Sequence, residues 1–187
     1  MVDSIEALEQ AWATGAALVA DVGEEGLQIP SPCDGWDIRA LLNHTLAEAE
    51  MMTLVNQGGV STSEYGDLVG EAPELTAYWA QAGRDNMASW RESGLQGERT
   101  YFYGTFPAPA SVVINLGEIV VHTWDLAGAL GQDFTIDPDH AGLIYGLYSS
   151  FPLDGLRAGG QLGPAIDVGE DAPMADRMLG LLGRKPR

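Results

Sequence analysis

Glu118 and His122 are polar groups in a setting that should exclude them. Both lie in SVVINLGEIVVHTWDLAGAL, the least polar stretch of the sequence. A carboxylate buried alone costs several kcal/mol, on the order of a small domain's whole stability, so Glu118 needs a partner. Four residues apart, the two side chains stack on one face of a helix. A Glu and a His so spaced can bind one cation in the open pattern of two nitrogens and one carboxylate oxygen. Two other histidines can supply the second nitrogen. His140 falls in the first turn of a helix opened by Asp137 and Pro138, where side chains are usually wet. His44 lies inside a helix, one turn from Leu41 and between apolar neighbours, and is the better candidate for an inward ligand. Spacing alone leaves a second arrangement open, a His–Glu pair hydrogen-bonded across helices without a metal.

Several neighbours qualify as supporting residues. Asp125, one turn past His122, is either an acceptor that holds a ligand imidazole or a hydrogen-bonding group that fixes helix packing. Asn43, rotated about 100° from His44 around the helix, reads as packing or capping a nearby loop. Cys33 reads first as a small buried hydrophobe, with approach to the metal and a redox role as the sharper alternative. Trp36 and Trp124 either wall a pocket or belong to the core. Glu48, one turn after His44, reads as an exposed helix acid unless it supplies a second carboxylate. There is no Gly-rich phosphate loop, nucleophile elbow or paired-cysteine motif, so phosphoryl transfer, serine hydrolysis and zinc-finger readings lack support.

Helices must position these groups. Ile5, Leu8, Trp12, Ala16 and Val19 mark one face of a helix from Asp3 to about Val22, with Asp3 as its cap and Glu6 three residues on. After a Gly- and Pro-bearing loop, Asp37 caps a second helix that runs to about Gln57 and stops before Gly58 and Gly59. Trp36 is placed to staple onto Leu41. Residues 58–72 read as a long crossover, the connection a bundle needs when two neighbouring helices run parallel. Pro73 is expected to open a third helix that carries Leu75, Tyr78, Trp79, Ala82 and Trp90. TYFYGTFPAPA is short and Pro-rich and reads as an extended arm. A fourth helix, apolar nearly all round, is expected from Ser111 to Leu130 in the middle of the fold. A shorter helix begins at Pro138. The tail from Phe151 to Val168 reads as coil, and Asp171 to Leu182 as a last short helix ended by Gly183. The class is all-α, with a metal-binding bundle over residues 1–150 and an extension, 151–187, packed on the same domain.

The 187 residues suit one core, and 45% hydrophobic content with five Trp and six Met provides enough apolar surface to bury. Nine basic against 27 acidic residues give a net charge of -18, a field that repels phosphate backbones and anionic lipid. No nucleic acid and no membrane partner is therefore expected. Eight of the nine basic residues are Arg. One cysteine, Cys33, allows no internal disulfide. The acidic N-terminus, MVDSIEALEQ, does not read as a secretory signal, and the expected location is cytoplasmic.

Three segments carry a family resemblance: SPCDGWDIRALLNH (Ser31 to His44), GEIVVHTWDLAGALGQD (Gly117 to Asp133) and VGEDAPMADRMLGLLGRKP (Val168 to Pro186). With Pro-Cys, Gly-Trp, Asn-His and Glu-x-x-x-His-x-Trp-Asp in that order, the sequence resembles the mycothiol-dependent maleylpyruvate isomerase metal-binding-domain family of the DinB-like superfamily. The resemblance implies a four-helix bundle with a long crossover between helices 2 and 3. It also implies one divalent metal, usually zinc, on His44, Glu118 and His122. Three protein ligands leave a position open, as in a reactive zinc site. The co-substrate implied is a low-molecular-weight thiol such as mycothiol, activated for attack on an electrophilic substrate in S-transferase or isomerase chemistry. The family's isomerase has a second, C-terminal domain that helps bind the thiol. This sequence, read to Arg187, leaves no room for one, which argues against maleylpyruvate isomerisation as such. Arg157 is the basic residue available to roof the metal cleft, with a solvated surface Arg as the plainer reading. The competing expectations are a hydrolase acting through zinc-activated water and a non-catalytic, stress-related metal-binding module. A homodimer through bundle faces is compatible with either.

Overall fold

The structure, a computed structural model, describes residues 2–72 and 74–187. It is mainly helical, with one two-stranded hairpin, in two compact units, Met1–Thr135 and Ile136–Arg187. In the first unit, α1 (Ser4–Ala20), α2 (Ile38–Asn56), α4 (Leu75–Ser93) and α5 (Ala108–Ala129) form a four-helix bundle of the DinB-like kind. The main interhelical contacts of α1 and of α2 are both with α4 and α5, which puts α1 and α2 at opposite corners.

Local chemistry sets the ends of these helices. The Asp3 carboxylate accepts from the backbone N–H groups of Ile5 and Glu6 at 2.9 and 3.1 Å, and Asp37 accepts from Ala40 N–H at 2.8 Å, filling donors that lack helical partners. Pro73 lies outside the described residues, and Glu74 caps α4 by accepting from Ala77 N–H at 2.8 Å. The fourth bundle helix starts at Ala108, earlier than the expected Ser111. Pro109 is tolerated there because the first-turn N–H groups have no helical acceptor to lose. Gly131, at φ +67°, ends α5. Gly131 N–H donates to Gly128 O at 3.2 Å and Gln132 N–H to Ala127 O at 2.9 Å, a doubly bonded helix end.

Tryptophans seated on glycines lock α1 to α4. The Trp12 and Trp79 rings meet edge-on with centroids 4.8 Å apart, Trp79 over Gly15 and Trp12 over Gly83. Asn86 joins three helices: it accepts from Trp12 Nε1 at 3.2 Å and donates to Ala49 O and Thr53 Oγ1, each at 3.1 Å. These bonds keep α2 in register with the helices around it, including the turn that carries His44.

Two connections differ from the sequence expectation. The crossover contains a one-turn helix, α3 (Leu68–Glu71), capped by Asp67, which accepts from Gly70 N–H at 2.9 Å. The Arg39 guanidinium pairs with Asp67, and Asn43 donates to Gly66 O at 3.0 Å and accepts from Val69 N–H at 3.2 Å. Asn43 is thus the loop cap its angular position suggested. The aromatic run is extended as expected, but as part of a hairpin: β1 (Glu98–Tyr101) pairs antiparallel with β2 (Gly104–Pro107) around Phe102 and Tyr103. Buried Arg99 anchors it, donating to Asn56 Oδ1 at 2.7 Å and to Gly94 O at 2.8 Å.

The second unit contains α6 (Pro138–Tyr148), α7 (Asp154–Ala158) and α8 (Met174–Leu181), so the tail expected to be coil includes a short helix. The last helix begins three residues later than expected because Pro173 is its N-cap. Arg177 lies over the Tyr145 ring, 4.8 Å from its centroid. Arg157 donates to Gly163 O and to Leu181 O, the latter at 2.8 Å, so it braces the tail's backbone. Among the described residues, no helix is long and apolar enough to cross a membrane.

Candidate metal centre

The bundle brings α2 and α5 together and with them His44, Glu118 and His122. His44 Nε2 lies 3.2 Å and His122 Nε2 3.3 Å from the same oxygen, Glu118 Oε2. Ligand atoms about 2.1 Å from a tetrahedral ion stand about 3.4 Å apart, the spacing both imidazoles keep from Glu118 Oε2, and all three ligand atoms lie within 4.8 Å of one another. His122 is buried, whereas the His44 and Glu118 side chains keep 22% and 24% exposure, which leaves one side of the cluster accessible. His140, expected to be wet, is 6% exposed and sits in the second unit. It belongs to neither group of side chains among the described residues that could hold a metal ion.

The other ring nitrogen of His122 is already engaged. Nδ1 lies 3.0 Å from Asp125 Oδ2, and Asp125 is fully buried. Asp125 therefore holds a candidate ligand imidazole and leaves Nε2 to face Glu118. Cys33 donates its S–H to the same Asp125 oxygen at 3.4 Å, so it is a hydrogen-bonding partner of this chain of groups, where the sequence favoured a plain buried hydrophobe. The loop that carries Cys33 is held by Ser31, whose hydroxyl donates to Trp36 O at 3.0 Å and accepts from Cys33 N–H at 3.2 Å. Gly35, at φ +76°, makes the turn. Trp36 walls the site, its ring 4.9 Å from that of His44 and 6.2 Å from that of His122. Pro30, Cys33, Gly35 and Trp36 border an open depression in this loop. Trp124 is buried in the core.

Burial pushes the Glu118 carboxyl up, but hydrogen bonds from His122 and His44 and their positive charge outweigh it, holding the carboxyl well below the usual range. For His122, burial favours the neutral ring, yet Asp125, Cys33 and Glu118 together hold the imidazole well above its ordinary value. Both ring nitrogens of His122 thus face carboxylate oxygens, an arrangement that favours the protonated ring. Glu48, expected to be an exposed acid, is half-buried and faces this cluster. Burial first, then the charge of Glu118, push it up to about 7, with His44 and His122 pulling the other way. The sequence places Glu48 one helical turn from His44, but that spacing alone does not show that its face is turned toward the cluster.

Residues 8–127 match the mycothiol maleylpyruvate isomerase N-terminal domain family. The chain belongs to that family. The matched span contains His44, Glu48, Glu118, His122, Asp125 and Cys33, and it ends before the second compact unit. Two uncharacterized proteins of Mycobacterium tuberculosis, from strains CDC 1551 / Oshkosh and ATCC 25618 / H37Rv, are each 26% identical to it over 189 aligned positions, covering 100% of this chain and 100% of theirs. No solved structure matches the chain at a significant level. The region common to this isomerase-domain family thus carries both the cluster and the groups that support it.

Proposed function

We propose that His44, Glu118 and His122 hold one divalent cation, zinc by the chemistry of the donors, and that its open side binds a low-molecular-weight thiol. The carrying observation is the convergence of two imidazole Nε2 atoms on one carboxylate oxygen, with the third face left accessible. The family supports a small thiol as the partner, with mycothiol as the first one to test. When bound, a divalent cation lowers the pKa of a thiol so that it is present as thiolate at neutral pH. The protein's own part is to fix the cation, orient His122 through Asp125, and shelter one side with Trp36. The reaction class is transfer or isomerisation of an electrophilic substrate by that thiolate, in the cytoplasm. Elemental analysis of protein purified without added metal tests the site. About one zinc per chain is expected, lost in both His44→Ala and His122→Ala. No zinc uptake even when zinc is offered would reduce the cluster to a hydrogen-bonded His–Glu pair.

A further inference from the structure

We propose that Cys33, His122 and Asp125 form a second cation site, which takes a thiophilic divalent ion on the side of the His122 ring turned away from Glu118. The two ring nitrogens serve different neighbours: Nε2 stands 3.3 Å from Glu118 Oε2, and Nδ1 stands 3.0 Å from Asp125 Oδ2. Cys33 Sγ reaches the same Asp125 oxygen at 3.4 Å. One ligand atom each from Cys33, His122 and Asp125 lie within 4.8 Å of one another, and neither His44 nor Glu118 belongs to this group. Around a tetrahedral ion, sulfur–oxygen and nitrogen–oxygen ligand pairs stand about 3.6 and 3.4 Å apart, so these two pairs need to part by only a few tenths of an ångström.

Charge and access make this group more than a hydrogen-bonded cluster. Asp125 and His122 are buried, whereas Cys33 is half-buried and borders the open depression in its loop. An ion thus has a way in from the loop, and solvent can fill a fourth position. A thiolate and a carboxylate balance a divalent charge, so with a neutral imidazole the occupied site carries no net charge, which suits a position buried this deeply. A thiol, by contrast, is only a weak donor to that carboxylate. The loop is pre-formed for the purpose: Trp36 N–H donates to Cys33 O at 3.0 Å, and the Ser31 hydroxyl accepts from Cys33 N–H at 3.2 Å. On binding, the S–H and Nδ1–H protons leave to solvent, their electron pairs go to the cation, and Nε2 keeps its hydrogen toward Glu118. Nothing is oxidised or reduced. The sulfur favours a softer ion than the donors of His44, Glu118 and His122 do. A neutral imidazole has one lone pair, so the two sites compete for His122.

Cadmium is the probe, because a thiolate bonded to it gives an ultraviolet charge-transfer band and Cys33 is the one cysteine of the chain. His44→Ala removes the competing site and leaves this one whole. Titrated with cadmium and kept reduced by a phosphine, His44→Ala should show the band saturating at about one cadmium per chain, and His44→Ala/Cys33→Ser should show none. Losing a direct ligand costs at least what losing an outer partner does, so His44→Ala/His122→Ala and His44→Ala/Asp125→Asn should bind cadmium at least about tenfold more weakly. Circular dichroism checks that each variant keeps its helix content, and His44→Gln replaces His44→Ala if the latter unfolds. No band in the single variant would overturn the proposal, as would a band that survives Cys33→Ser or full affinity after loss of the ring or the carboxylate. Neither zinc nor a small thiol enters the test, so its failure leaves the reading of His44, Glu118 and His122 standing.

Discussion

At the residue scale, the hydrogen bond between Asp125 and His122 Nδ1 has a measurable consequence. Partners of this kind fix a ligand imidazole's tautomer and orientation, and losing one costs about 10–100-fold in metal affinity. Asp125→Asn keeps the shape and removes the charge, and zinc affinity measured against a chromophoric chelator should fall by about tenfold. Unchanged affinity would show that Asp125 serves helix packing alone. Glu118 and His122 were readable from the sequence because they interrupt an apolar helix, and His44 because it was the inward histidine of its helix. The contact of Cys33 with Asp125 joins positions 92 residues apart, and no local pattern announces that. Glu48 was misread for another reason. Local spacing cannot tell a solvated helix face from one turned toward a charged cluster on a neighbouring helix.

At the scale of elements, the glycines beneath the tryptophans carry the clearest prediction. A Cβ on Gly15 would lie 2.6 Å from Trp79 Cζ2, and Trp79 is held in place by the bond from its Nε1 to Trp12 O at 3.2 Å. Overpacking of that kind costs about 1–3 kcal/mol, more than the roughly 1 kcal/mol a helix gains from Gly to Ala. Gly15→Ala should therefore lower stability in urea unfolding. Gly142→Ala in α6, where nothing lies within 4 Å, should be neutral or stabilising. Equal effects at the two sites would mean that the Trp12–Trp79 seat is not tight. The same elements show where sequence reading succeeds. Caps and stops such as Asp3, Asp37 and Gly131 act within one turn, so the bundle helices were legible nearly to their ends. The hairpin was not, because the partner that anchors it, Asn56 bound by Arg99, lies 43 positions away and a Pro-rich aromatic run does not reveal it.

At the scale of the whole molecule, the net charge of -18 at pH 7 favours any cation, but the dependence of stability on pH separates the centre from this general field. In the metal-free protein the Glu118 carboxyl is held down and the His122 imidazole is held up. The Glu118 contribution is present above its unfolded value near 4.5 and lost as pH falls through its lower folded value. The His122 contribution is complete below about 6.5 and lost as pH rises through its higher folded value. Glu48, pushed up to about 7, subtracts stability as pH rises from about 4.5 to 7 and keeps that penalty above. From these three groups the metal-free protein should be most stable at about pH 4.5 and weaken steadily toward pH 8. Zinc held as proposed would reverse the trend, because it would take the Nε2 position of His122 by displacing a proton. Each displaced proton makes binding about 1.4 kcal/mol more favourable per pH unit while the ring is still protonated without metal. By mass action that difference appears as stability. The rise in melting temperature on adding zinc should be small at pH 5.5 and several degrees larger at pH 8, and His122→Ala should abolish it at both. A rise independent of pH, or one that persists in His122→Ala, would place the zinc on scattered surface acids and remove it from the bundle.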